Sequence, residues 1–125
     1  IINCMSRFDS TEATNRNIPK VVSNFNNNLV YMSRSAIPGT KEGHSKLVHK
    51  QVCIYAFTKD ELDKFYKYGL KNGKTQLEWS EDIEILRFVE LGINIKMIET
   101  FGTTQAVDIP EDVDKVLEIL NERKS

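Results

Sequence analysis

The chain is poor in the residues that mark easily recognised sites. Its two cysteines and two histidines leave no ligand to spare, so no structural zinc site is expected. Cys4 and Cys53 each sit in an apolar run, Ile1-Ile2-Asn3-Cys4-Met5 and Val52-Cys53-Ile54-Tyr55. Buried free thiols in a reducing compartment are expected rather than a disulfide. Gly39, Gly43 and Gly73 are isolated turn glycines, so no glycine-rich loop is present to cradle a phosphate. A basic excess is also missing: 17 basic and 18 acidic side chains give a formal net charge of -1. That excludes the charge pattern of a nucleic-acid or membrane-surface binder. No apolar run is long enough to cross a bilayer. Arg7, Asp9 and Glu12 follow too closely on the apolar start for a signal peptide, and the expected location is the cytoplasm.

What is present fits one soluble domain spanning residues 1–125. The composition is 40% hydrophobic and 28% charged, and a chain of this length buries about two-thirds of its unfolded surface. The opening Ile1-Ile2-Asn3-Cys4-Met5 reads as a strand already under way, so a longer parent polypeptide is expected. Lys20-Val21-Val22-Ser23 and Leu29-Val30-Tyr31-Met32 flank an Asn-rich turn and predict a hairpin, because Asn tolerates positive φ. Ile37-Pro38-Gly39 breaks the chain, and Thr40 to Lys46 is expected to be a mobile surface loop.

Leu47 to Phe57 is β-rich, with Gln51, Cys53, Tyr55 and Phe57 expected on one face. Thr58 and Glu61 make a capping box for a helix that should stop near Gly69. Glu78 to Leu91 predicts a second helix, with Trp79, Ile83, Ile85, Leu86 and Val89 on its apolar face. Glu81, Glu84 and Arg87 take the polar side, and Gly92 stands at the C-cap. Ile93 to Glu99 alternates as a strand. Pro110 opens a third helix, in which Val113, Val116, Leu117 and Leu120 have the spacing of a helix packed on a sheet. Strands and helices alternate, so the class is α/β.

Four stretches occur in an order and spacing that resemble the carboxy-terminal half of the CMP-Kdo synthetases, the 3-deoxy-manno-octulosonate cytidylyltransferases. They are Pro19-Lys20-Val21-Val22, Val30 through Pro38 with its Ser33-Arg34-Ser35-Ala36-Ile37-Pro38, Lys50 through Phe57, and Val107-Asp108-Ile109-Pro110-Glu111-Asp112. Leu77-Glu78 and Glu84-Ile85-Leu86-Arg87 are similar to the helix that the family carries between the last two. The resemblance covers nearly the whole chain. It implies part of a nucleotide-diphospho-sugar-transferase-like sheet with flanking helices, plus a β-hairpin that serves dimerisation. The family transfers a cytidylyl group from CTP to the anomeric hydroxyl of an eight-carbon acidic sugar, with magnesium on the phosphates. Its phosphate-gripping loop and the stretch with its first magnesium aspartate are not found in these residues.

Carried over position by position, the resemblance implies that Arg34 reads the sugar carboxylate, a suitable partner for a bidentate guanidinium. The bland reading is an edge-strand arginine paired with a surface acid. Tyr55 would line the sugar pocket, or be a half-buried strand aromatic. Gln51 shares its face but replaces the family's usual histidine. Glu84 matches a pocket acid, with simple solvation as the rival reading, and Ile85 stands where many members carry glutamine. Asp108 would be a Mg²⁺ ligand in an intact enzyme or, equally, the cap of the last helix; Asp112 could reach back to that helix start. The departures at Gln51 and Ile85 leave the sugar open between Kdo and a relative of it.

The implied function is therefore the sugar-binding and dimerising portion of a CMP-sugar synthetase, a homodimer with the acidic sugar and CTP as ligands, nearly inactive by itself. A non-catalytic relic that survives as a dimeric binding or assembly module is the alternative. A third reading is a specificity domain that completes a site supplied by a separate chain.

Overall fold

A computed structural model describes residues 1–8, 10–45, 48–101 and 105–122. The strands are β1 (Ile2–Phe8), β2 (Lys20–Ser23), β3 (Leu29–Ser33), β4 (Gly39–Thr40), β5 (Gly43–His44), β6 (Val48–Ala56) and β7 (Lys96–Glu99). The helices are α1 (Lys59–Asn72), α2 (Gln76–Glu81), α3 (Leu86–Glu90) and α4 (Pro110–Glu122). Five strands form one mixed sheet in the order β3-β2-β6-β1-β7, with β1 antiparallel to β6 and parallel to β7. The α/β class is as expected.

The β2–β3 hairpin forms as the Asn-rich turn predicts. The Asn24 side-chain carbonyl accepts from the backbone N–H groups of Asn26 and Asn28 at 3.0 and 2.9 Å, and Asn27 takes φ 56°. Asn24 thereby replaces the ladder bonds that the turn removes. The hairpin also reaches β7, since Leu29 N–H donates to the Ile95 carbonyl at 2.8 Å and Met97 N–H to that of Asn27 at 2.7 Å.

In β6 the pairing register jumps. Asn3 faces Tyr55 while Cys4 faces Val52, so Cys53 and Ile54 have no partner on β1. The Asn3 amide donates to the carbonyls of both Val52 and Ile54 at 3.0 Å, which satisfies groups that the jump would otherwise strand. Two extra residues preserve the parity of the strand. Gln51 and Tyr55 therefore remain on one face, as alternation requires. The buried-thiol expectation needs correction: Cys53 is exposed and Cys4 only half-buried, both as free thiols.

The core joins Met5, Val21 and Met32 of the sheet to Ile83, Ile85, Leu86 and Phe88, with Ile95 and Met97 on the β7 side. Several sequence expectations are corrected here. Thr40 to Lys46 is not simply a loop, because β4 and β5 pair within it; Lys46 lies outside the described residues. Helix α1 starts at the Thr58–Glu61 capping box but passes Gly69 and ends at Gly73, which takes φ 77°. Gly69 is a site of close approach: a Cβ there would lie 2.4 Å from Arg87 Nη1.

The single helix expected over Glu78 to Leu91 is two short ones, broken at a left-handed Asp82. The break turns Trp79 outward to 74% exposure and leaves Ile83 and Ile85 buried. Arg87, expected on the polar side, is buried in a bidentate pair with Glu78 at 2.8 Å, stacked 3.7 Å from the Phe65 ring centroid. Helix α4 forms where Pro110 predicts it. Its apolar stripe is not packed on the sheet, and Val113, Leu117 and Leu120 stay about half exposed.

Candidate functional site

The break between α2 and α3 is what builds the site. It frees the carbonyls of Glu81 and Asp82, and Arg34, just past the end of β3, takes both. Arg34 Nε donates to the Glu81 carbonyl at 2.6 Å and Nη2 to that of Asp82 at 3.0 Å. A cation is well placed at a helix carboxy terminus. Nη1 donates to the Arg16 carbonyl at 3.0 Å. A guanidinium has five N–H donors; three are used by carbonyls here, which leaves two for a ligand.

The Glu81 side chain completes the anchor. It accepts from Ser33 Oγ at 2.6 Å, from the Arg34 backbone N–H at 2.9 Å and from Tyr31 Oη at 3.0 Å. Burial opposes its charge, but these donors outweigh burial and hold its pKa below the usual carboxylate value. Behind Arg34 lies Lys20, whose side chain is wholly buried. Its ammonium donates to the carbonyls of Asn15 and Ile18 at 2.7 Å and of Arg34 at 2.6 Å. Burial, then the neighbouring Arg34 charge, lowers its pKa.

These elements enclose a cleft of about 590 Å³. Arg34, Gln51, Tyr55, Glu84 and Asp108, the five residues singled out from the sequence, all line it. Gln51 Nε2 donates to Tyr55 Oη at 2.7 Å, and Tyr55 Oη donates to Glu84 Oε1 at 3.4 Å. Burial, followed by the Glu84 charge, pushes the Tyr55 phenol well above its ordinary pKa, so it stays a neutral donor. Glu84 is exposed and lines the cleft, and no ion pair engages it among the described residues.

The two readings of Asp108 separate here. Asp112 does the capping: its carboxylate accepts from the backbone N–H groups of Asp108 at 3.1 Å and Ile109 at 3.3 Å. Those donors, the Asp108 N–H foremost, lower the Asp112 pKa. Asp108 lines the cleft, and the cap role falls to Asp112. Among the described residues no cluster of three or more His, Cys, Asp or Glu could hold a metal ion. Of the carboxylates that line the cleft, Asp108 is the one that the family resemblance offers to a metal. The sequence missed Lys20, Glu81 and Asp82. The one signal was a lysine inside the apolar run Pro19-Lys20-Val21-Val22, at a position where a hairpin strand packs inward.

No protein-family model matches the chain. Curated relatives do. The 3-deoxy-manno-octulosonate cytidylyltransferase of Christiangramia forsetii is 35% identical over 114 residues, 90% of this chain and 44% of that protein. The corresponding protein of Flavobacterium johnsoniae is 37% identical over 112 residues, 89% of this chain and 44% of its own length. That of Koribacter versatilis is 34% identical, over 90% of this chain and 42% of its own. Among solved structures, a CMP:2-keto-3-deoxy-manno-octonic acid synthetase complexed with CTP superposes with a TM-score of 0.82 at 29% identity, covering 98% of this chain and 49% of that one. The chain spans less than half the length of the curated relatives it matches, and over that span, in sequence and in fold, it belongs to the CMP-Kdo synthetase family.

Proposed function

We propose that these residues are the carboxy-terminal, sugar-binding and dimerising portion of a CMP-sugar synthetase. The reaction transfers CMP from CTP to the anomeric hydroxyl of an acidic 3-deoxy-2-keto sugar such as Kdo. The observation that carries the reading is the convergence of Arg34, Gln51, Tyr55, Glu84 and Asp108 on one cleft from four separate parts of the chain. The two remaining N–H groups of Arg34 pair with the sugar carboxylate. Gln51, Tyr55 and Glu84 form one hydrogen-bonded row that orients the sugar hydroxyls, with the remaining lone pairs of Glu84 and Tyr55 accepting. Asp108 would hold magnesium, which when bound would supply charge neutralisation on the phosphates. The sugar hydroxyl then stands in line with the α-phosphorus of CTP; the new P–O bond forms as pyrophosphate leaves.

A phosphate grip and a second magnesium carboxylate would come from elsewhere in the polypeptide, so the 125 residues alone are expected to bind sugar but turn over little CTP. The protein would act in the cytoplasm. Phe25 and Val30, exposed on the hairpin, would form part of a homodimer interface. Met32 does not belong to that surface, since it is buried in the core.

The direct test is an NMR titration of the chain with Kdo. Saturable shifts at Arg34, Gln51 and Tyr55 are expected, and loss of about tenfold in affinity in Arg34→Ala. Kdo that leaves all cleft signals unmoved would sink the reading. Rapid magnesium-dependent release of pyrophosphate by this chain alone would show that the phosphate grip is not needed.

A further inference from the structure

We infer that Lys20 is a positioning residue that presets the sugar-carboxylate end of the cleft. The inference rests on the proposed sugar site but reaches a residue outside it. Lys20 opens β2 with no exposed surface, and among the described residues no carboxylate accepts a hydrogen bond from its ammonium. An ammonium has three donors, and all three are used on backbone carbonyls, those of Asn15, Ile18 and Arg34 at 2.6 to 2.7 Å. A buried cation persists only where such bonds replace its hydration.

The three carbonyls belong to two segments that are otherwise far apart in the chain. Asn15, Asn17, Ile18 and Arg34 all line the cleft. Arg34 in turn donates to the Arg16 carbonyl, between Asn15 and Asn17, at 3.0 Å. Lys20 and Arg34 therefore both pin the loop of residues 15–18. Within the loop Asn15 N–H bonds to Glu12, Ile18 N–H to Asn15, and Asn17 N–H to the Asn15 side chain, and its far end is tied to β6 where Gln51 N–H donates to the Pro19 carbonyl at 2.9 Å. Removing the ammonium loosens the loop, and the Arg34 backbone keeps its bond to Glu81 but loses the one at its carbonyl, which weakens the Arg16 contact.

Geometry as well as charge is required. A compact ammonium points three donors at a tripod of carbonyls, whereas a planar guanidinium cannot. Lys20→Arg is therefore expected to fail where a purely electrostatic role would be rescued.

The test compares the chain with Lys20→Met and Lys20→Arg by amide hydrogen exchange without sugar, then by Kdo titration. In both variants the amides of Asn15, Asn17, Ile18, Arg34 and Ser35 are expected to exchange at least about tenfold faster. Those of Leu29, Phe88 and Met97 should change little. Kdo affinity is expected to fall about tenfold in both variants. Uniform acceleration across all these amides would reduce Lys20 to a general stabiliser, and full affinity in Lys20→Arg would remove the geometric requirement. If the wild-type chain fails to bind Kdo while the loop amides still respond, the sugar site is wrong and the anchoring role stands. Should neither variant fold, the wild-type ammonium decides: a slowly exchanging Lys20 Nζ proton signal that shifts on adding Kdo supports the inference, and its absence overturns it.

Discussion

The Glu81 carboxylate gathers three donors from the end of β3, and its charge state sets how firmly that strand is tied to α2. Its folded pKa is depressed, so its stabilisation is present above the ordinary carboxylate range and disappears as pH falls through the folded value. Glu81→Gln should cost about 2 kcal/mol at neutral pH, since hydrogen bonds to a charged group are the strong ones. Thermal melts of wild type and variant should converge on acidification below the folded pKa. A gap independent of pH would mean that the charge is irrelevant. Arg34 carries a related consequence. Because it caps α2, Arg34→Ala is expected to lower stability by about 1 to 2 kcal/mol as well as weakening sugar binding. Urea denaturation measures the first loss separately from the second. A variant with full stability would show that the carbonyl contacts contribute nothing.

At the scale of elements, the packing of α1 on α3 turns on one missing side chain. Arg87 reaches across from α3 to Glu78, stacks on Phe65 and donates to the Phe65 carbonyl at 2.8 Å, and only a glycine at position 69 leaves room. Propensity alone would make Gly69→Ala stabilising by about 1 kcal/mol. The 2.4 Å approach to Arg87 Nη1 reverses the sign. A net loss of about 2 kcal/mol is expected from overpacking, read by urea denaturation; a gain would show that Arg87 swings aside freely.

This region also shows where sequence reading stops. The hairpin, β6 and the starts of α1 and α4 were legible, because their signals are local: Asn in a turn, a capping box, a proline at the first helical turn. The α2–α3 break was not. Trp79, Ile83, Leu86 and Val89 fit a continuous wheel, and the break is stabilised instead by distant groups. Arg34 takes the freed carbonyls and Lys74 pairs with Asp82 at 2.9 Å. The buried Arg87 was read as polar-faced for the same reason, since its partner and its space come from other elements. The five residues that share the cleft were singled out through family resemblance; Lys20 was not, because its role depends on three carbonyls that only the fold brings together.

Across the whole molecule, apolar surface is divided unevenly between the core and α4. Leu86 is fully buried, while Leu117 on α4 is 52% exposed although both read as core leucines in the sequence. The α4 stripe has the right period for packing, yet α4 leaves it about half exposed, and Asp112 caps the helix start and pairs within it with Lys115 at 3.2 Å. Burial rather than pattern decides what a leucine contributes, because the transfer and cavity losses scale with the surface removed from water. In this chain Leu86→Ala should cost about 3 kcal/mol, and Leu117→Ala should stay within about 0.5 kcal/mol. Denaturant midpoints of the two variants make the comparison. Should the whole synthetase cover the α4 stripe, the same Leu117→Ala change placed in it would cost several times more than in the 125 residues. Equal small losses in both settings would mean that α4 keeps its apolar face in water throughout.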